Sequence, residues 1–267
     1  MNAPRSSLLA LATSLLLAGC GMGAMTSPGG GTAARTPTAL TQASTGTLSV
    51  ELLTFGPLAV GQNRVFYRVT SGGQPVTAAA LKQRPVMHMA DMTHGCPVVD
   101  PAGTADGSGL FEGLLLPTMA SSADENWTLG LEVTVGTEAT VVVDFGQLPV
   151  ADSALKKILT RVDGRKVILT FGFPDGVKVG SNAVLVTAHE PLQMGMSYPP
   201  VEDLQLTVVP EMPSMGHGSS GNVAPTHAGD GMYRGTVNFS MAGDWVVKLG
   251  VKSGEADLGA LSFAFDL

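Results

Sequence analysis

Met89, Met92, His94 and Met119 in the first half of the chain, and Met212, Met215, His217 and Met241 in the second, are the residues best suited to do chemistry. A methionine thioether is a soft, neutral donor, and histidine adds a borderline nitrogen. Soft sulfur ligands select Cu(I) over Zn, Mg or Ca. A thioether has no proton to lose, so at mildly acidic pH only the histidine of such a site titrates. Met215 and His217 lie two apart and share a face if the chain is extended. Met212 joins them only through a turn, which Pro213 and Gly216 permit. Met119 and Met241 must arrive from a neighbouring strand or turn. The expectation is two metal sites for copper as Cu(I).

Neighbouring residues enlarge the first set. Met87 and His88 precede it, and His94-Gly95-Cys96 places a thiol two residues from a candidate ligand. Cys96 reads either as an additional ligand or as a buried small hydrophobe. Trp127 and Trp245 read either as cation–π caps or as core anchors. A lone Met-x-x-Met is ordinary core filling. What raises the pattern above packing is its recurrence with a histidine, in Gly- and Pro-rich surroundings where apolar thioethers have no core to fill. His189 and His227 have no counterpart in the other half and read as surface residues. Met194-Gly-Met196 reads as strand-edge packing, with a gathering loop for metal as the alternative.

Composition narrows the field. The chain has 267 residues with 13 Met, only 2 Cys, 34 Gly and 17 Pro, and a net charge of −7. An acidic balance offers no footprint for nucleic acid. Charged residues make up only 14%, which argues against a coiled coil, while 44% apolar content argues against wholesale disorder. No Gly-x-Ser-x-Gly, His-Glu-x-x-His or Walker loop occurs. Gly216 to Gly221 formally fits Gly-x-Gly-x-x-Gly, but Pro225 and Gly229 follow where a helix should be, so it reads as a loop. His94 and Cys96 lack an orienting third group for nucleophilic catalysis. The expectation is no enzyme.

The elements that position these residues are short strands. Runs at 48–55, 64–70, 128–135 and 139–145, then at 166–173, 183–188, 204–209, 235–239 and 245–251, are β-branched and separated by turn residues. Anchors recur in the same order. Gly61-Gln-Asn63 answers Gly180-Ser-Asn182, Met89 to Gly95 answers Met212 to Gly218, and Phe111-Glu-Gly113 answers Tyr233-Arg-Gly235. Met119-Ala120 answers Met241-Ala242, and Trp127 answers Trp245, with four extra residues in the first copy. This order reads as an internal duplication. The expected fold class is all-β, with two tandem immunoglobulin-like β-sandwiches at 47–150 and 165–267. Residues 151–164 form an expected linker, with Ser153 to Arg161 helical behind an Asp152 cap.

The N-terminus reads as an address. Arg5 precedes an apolar stretch from Leu8 that ends in Leu17-Ala-Gly-Cys20. Such a stretch is a secretory signal too short to anchor by itself, and residues 1–20 resemble a bacterial lipoprotein signal whose Cys20 is acylated. Acyl chains there would make the membrane a partner. The implied place is the cell envelope, facing the periplasm or exterior, with Gly21 pointing to the outer membrane. Residues 21–46 are rich in small polar residues and read as a flexible tether.

The Met-x-x-Met-x-His-Gly and Met-Ala-Gly-x-Trp segments at 212–218 and 241–245 resemble the YtkA-like domain family, related to the periplasmic part of FixH-type proteins. The resemblance runs over roughly 165–267. It extends less closely to 47–150, where Met119-Ala-Ser replaces Met-Ala-Gly. It implies an immunoglobulin-like sandwich associated with bacterial envelopes and copper handling, and as partners an envelope copper-handling protein or oxidase assembly factor. The functional expectation is an envelope lipoprotein that sequesters or delivers Cu(I). The alternative is a non-metal interaction module whose Met and His residues only pack.

Overall fold

Alternation of buried and exposed side chains along the strands dictates a layered β architecture. The computed structural model describes residues 35–267. In its first half the strands are β1 (Thr38–Thr45), β2 (Leu48–Thr54), β3 (Leu58–Ala59), β4 (Asn63–Ser71), β5 (Gln74–Val76) and β6 (Ala80–His88). They continue with β7 (Thr93–His94), β8 (Val98–Val99), β9 (Phe111–Leu115), β10 (Asn126–Thr134), β11 (Val141–Leu148) and β12 (Val150–Ala151). One sheet runs β1-β2-β4-β9-β8, with β5 on β4, and the facing sheet runs β11-β10-β6-β7.

The second half repeats this plan. Its strands are β13 (Lys156–Thr160), β14 (Lys166–Gly172), β15 (Gly180–His189), β16 (Leu204–Met212) and β17 (His217–Gly218). They are followed by β18 (Val223–His227), β19 (Met232–Phe239), β20 (Asp244–Ser253) and β21 (Ala256–Asp266). The sheets run β13-β14-β15-β19-β18 and β17-β16-β20-β21, the same spatial order as in the first half. Every strand expected from the sequence is present. The fold is all-β, and the paired sheets form immunoglobulin-like sandwiches.

Each sheet pair closes on its own apolar core. Val50, Leu52, Tyr67, Phe111 and Trp127 fill the first, and Leu169, Phe171, Tyr233, Phe239 and Trp245 the second. The Gly-x-Asn anchors prove structural. Asn63 accepts the Ala59 N–H at 2.9 Å and donates to the carbonyls of Ala59, Gly61 and Leu115. Asn182 accepts the Lys178 N–H at 2.9 Å and donates to the carbonyls of Lys178, Gly180 and Val237. In both turns the glycine takes a positive φ, +100° at Gly61 and +98° at Gly180, which a side chain would strain.

Two expectations are corrected. The helix expected over Ser153 to Arg161 is absent, and Lys156–Thr160 forms β13, paired with β14 from Lys156 opposite Thr170 to Thr160 opposite Lys166. The open edge of β14 offers backbone donors and acceptors that a neighbouring strand satisfies, and this outweighs local helix propensity. The tether does not reach residue 46. Thr38–Thr45 pairs with β2 through a turn at Gly46 and lays Leu40 and Ala43 on the core. Three threonines and a small apolar contact suffice for an edge strand, though the composition resembles a linker. Residues 21–34 of the expected tether, and Cys20 with its signal, lie outside the described residues.

The two halves touch directly. Gln62 Nε2 donates to the Leu185 carbonyl at 2.8 Å and to Thr170 Oγ1 at 3.0 Å. Lys156 Nζ donates to the Thr118 carbonyl at 2.7 Å. Leu114 and Leu116 pack on Leu185 between the halves, which explains why β14 and β15 are buried on both faces. Among the described residues no helix is long and apolar enough to cross a membrane.

Candidate metal centres

Strand register builds the first site. Met87 sits opposite Trp127 on β10 and opposite His94 on β7, so the three side chains form one inward row across adjacent strands. All three are buried. His94 Nδ1 lies 2.7 Å from the Gly95 carbonyl oxygen. A carbonyl only accepts, so Nδ1 carries a proton, and in the neutral ring Nε2 presents a lone pair. That lone pair faces Met119 Sδ at 3.1 Å. The Trp127 indole N–H donates to the Met119 carbonyl at 2.9 Å, and its ring meets His94 edge-on at 5.4 Å. Trp127 therefore fixes both the histidine plane and the turn that carries Met119.

The second site repeats the frame. Met212 pairs with His217, and Glu211 pairs with Val246, which brings Met212 beside Trp245. His217 Nδ1 lies 3.0 Å from the Gly218 carbonyl oxygen. The Trp245 indole N–H donates to the Met241 carbonyl at 3.0 Å, with its ring 5.9 Å from that of His217. Ser214 bonds Asp244 through both N–H and hydroxyl, tying the Met215 turn to the base of β20. Met215 is 61% exposed and Met241 44%, so both thioethers are open to solvent beside the half-buried His217.

Both histidines thus show the arrangement metal-binding imidazoles adopt, with one ring N–H given to a backbone carbonyl and the other nitrogen left with its lone pair. Ligand bonds near 2.0 Å to nitrogen and 2.3 Å to sulfur at tetrahedral angles would separate His94 Nε2 and Met119 Sδ by about 3.5 Å. The contact would open by roughly half an ångström to admit an ion, within the reach of a flexible methionine. Among the described residues no group of three or more His, Cys, Asp or Glu side chains is placed to hold a metal. A site in this frame rests on thioethers.

Several residues fall elsewhere than expected. By register, Met87 and not Met89 answers Met212. Two extra residues in the first hairpin put Met89 in the loop, where its N–H bonds the Met92 carbonyl at 3.0 Å. Met89 packs against the core rim, and Met92 is 45% exposed. Met212 is a core residue whose methyl end lies under the Met241–Gly243 turn. A Cβ added to Gly243 would come within 2.8 Å of Met212 Cε. It forms the floor of its site, beneath the open donors Met215, His217 and Met241. Both methionines lie in the inward phase, but β6 ends at His88, so Met87 stands within the strand and Met89 in the loop beyond it.

Cys96 takes its packing role. It is buried in the first core, and desolvation pushes its thiol pKa far up. Burial thus disfavours the thiolate, the form of the side chain that ligates a soft ion. His88 points to the outer face of β6 and meets Thr128 Oγ1 at 2.9 Å. Both tryptophans are buried core anchors. His227 is exposed as expected, with Glu202 at 3.5 Å. His189 is not a surface residue. It is buried, desolvation lowers its pKa to about 4, and Nδ1 has no hydrogen-bond partner. Met194 and Met196 are exposed, so strand-edge packing does not account for them.

Among solved structures, the chain is similar to FdeC, an Escherichia coli adhesin, with 15% identity over 84% of this chain and a TM-score of 0.28. It spans 65% of the length of that adhesin chain. Domains 5–6 of the S-layer protein SbsC align with 16% identity over 86% of this chain and 98% of that one, at a TM-score of 0.29. A chimeric titin Z1Z2 aligns with 11% identity over 85% of this chain and 96% of that one, at a TM-score of 0.18. No curated protein matches the sequence. Residues 163–250 match the family described as YtkA-like. That span runs from the turn before β14 through most of β20 and includes Met212, Met215, His217, Met241 and Trp245. Within the second half, residues 163–250 are therefore similar to the YtkA-like family.

Proposed function

We propose that this chain is a non-catalytic, lipid-anchored module of the bacterial envelope that binds Cu(I) at two Met/His sites and either sequesters it or passes it to an envelope partner. The observation that carries the reading is the repeated frame: a histidine whose Nδ1–H is held by the next glycine's carbonyl, beside a methionine turn pinned by a tryptophan indole. In the first site Nε2 and a thioether sulfur already converge. Two lone pairs face to face are relieved by a cation between them, and a soft monovalent ion matches this donor set. Binding by ligand exchange needs no carboxylate and no deprotonated thiol.

A Cu(I) titration against a competing chelator tests the reading. The wild-type chain takes up about two equivalents, and the Met215→Leu/His217→Asn double variant takes up one fewer. No uptake by the wild type would overturn it. The envelope location is tested separately by metabolic labelling with a fatty acid, which Cys20→Ala abolishes. A packing-only reading draws on the buried Met87 and Met212, and predicts no uptake with both sandwiches fully folded.

A further inference from the structure

The segment between β15 and β16 carries an exposed tip. Leu192 and Ser197 bridge each other across a tight loop whose tip is Gln193-Met194-Gly195-Met196. The Gly195 N–H bonds the Leu192 carbonyl at 2.9 Å. Gln193 and Met194 adopt φ of +51° and +56°, two consecutive left-handed residues with side chains, a conformation that persists only where surrounding contacts impose it. Met194 is 85% exposed and Met196 58%. Two thioethers within three residues, held out in water on a constrained loop, gain nothing from burial.

What imposes the conformation is the first site, across the boundary between the halves. The Gly95 N–H bonds the Gly195 carbonyl at 2.8 Å. The Tyr198 hydroxyl donates to the Gly95 carbonyl at 2.9 Å, the same oxygen that orients His94. Gly195 lies so close that an added Cβ would sit 3.1 Å from His94 Cβ and 2.9 Å from the Tyr198 hydroxyl. The tip is therefore fitted against His94. Met194 and Met196 each lie one residue, about 3.8 Å of chain, from the glycine that touches it. A methionine has three side-chain torsions beyond that point with which to swing inward.

The geometry points to a shared soft-cation station, in which Met194 and Met196 are outer thioether donors that capture a monovalent soft ion and exchange it with His94 and Met119. This rests on the soft-ion reading of the first site and adds donors supplied by the other half. Among the described residues the second site has no such arm, so the two sites differ in how an ion enters.

Silver(I), a redox-stable monovalent soft ion, is the probe. The full chain is labelled with 13C at the methionine methyl groups, its resonances are assigned by single Met→Leu variants, and it is titrated with silver nitrate. The methyls of Met194 and Met196 are expected to shift in the same step as that of Met119. In the Met194→Leu/Met196→Leu variant, the Met119 methyl still shifts, but the first site's affinity against a competing chelator falls about tenfold. Both positions are exposed, so the variant folds. If Met119, Met215 and Met241 shift while Met194 and Met196 stay, the arm is refuted and the soft-ion reading stands. If no methionine methyl shifts, both fall.

Discussion

His94 and His217 donate Nδ1–H to the next glycine's carbonyl, and each sits edge-on to a buried tryptophan that also holds a methionine turn. Their surroundings differ. His94 is buried, its Nε2 is in contact with Met119 Sδ, and a loop from the other half is bonded over its neighbour Gly95. His217 is half-buried, between a methionine at 61% exposure and one at 44%. The local frame follows from a short hairpin beside a Trp-bearing strand and forms in both halves. Access to the histidine follows from what the rest of the molecule lays on top. One frame thus surrounds a covered histidine and an open one.

The largest effect should come from removing the tryptophans. Trp127→Ala and Trp245→Ala each delete a buried indole and release a methionine turn, at a cost of about 3–5 kcal/mol. Denaturant unfolding of the two variants compares the halves. A cost below about 1 kcal/mol in either would break the equivalence of the frames.

His189 distinguishes the halves next, because Thr70 stands at the corresponding place in the first. The unfolded chain takes up a proton at His189 near pH 6.5, whereas the folded protein resists it until about pH 4. The unfolded state therefore binds more protons across that window, and stability falls as pH falls through it, by about 3 kcal/mol between pH 7 and 4. The nearby Asp230 raises the His189 pKa but is outweighed by desolvation. His189→Gln should flatten this part of the stability profile, and an unchanged slope would refute the assignment.

Gly195→Ala sharpens the contrast between covered and open sites. It places a side chain at φ +82° against His94 and Tyr198, and should cost about 1–2 kcal/mol. Amide spectra should shift around Gly95 and not around Gly218, and equal shifts at both would show that the cap is not specific to the first site. Smallest in stability are the volume-conserving Met119→Leu and Met241→Leu, each within about 1 kcal/mol of wild type. Each should nonetheless lower Cu(I) uptake by one equivalent, and a loss confined to one would leave a single working site.

Much of this is legible in the sequence. The strand runs, both tryptophans and the Gly-x-Asn turns are local in origin, since period-two alternation and turn chemistry are written in adjacent residues. The Met-x-x-Met-x-His spacing points to two hairpins that share one frame, but it aligns the wrong methionine in the first with Met212. The match of Met89 to Met212 ignored the two-residue insertion that makes Met87 the inward partner of His94. Thr38–Thr45 and Lys156–Thr160 were missed as strands because an edge strand is stabilised by its neighbour's unpaired backbone, which no window of sequence contains.

By itself the sequence determined an all-β chain with two sets of thioethers and histidines, because composition and periodicity choose which faces are buried. Tertiary structure alone decided which donors meet. Met119 reaches His94 through the indole of Trp127, Cys96 is drawn into the core, and the Met194–Met196 loop crosses from one half to lie over the other's histidine. Those contacts join residues 25 to 100 positions apart, as from Met119 to His94 and from Gly195 to Gly95. At such separations, packing between sheets and not local propensity sets which side chains come together.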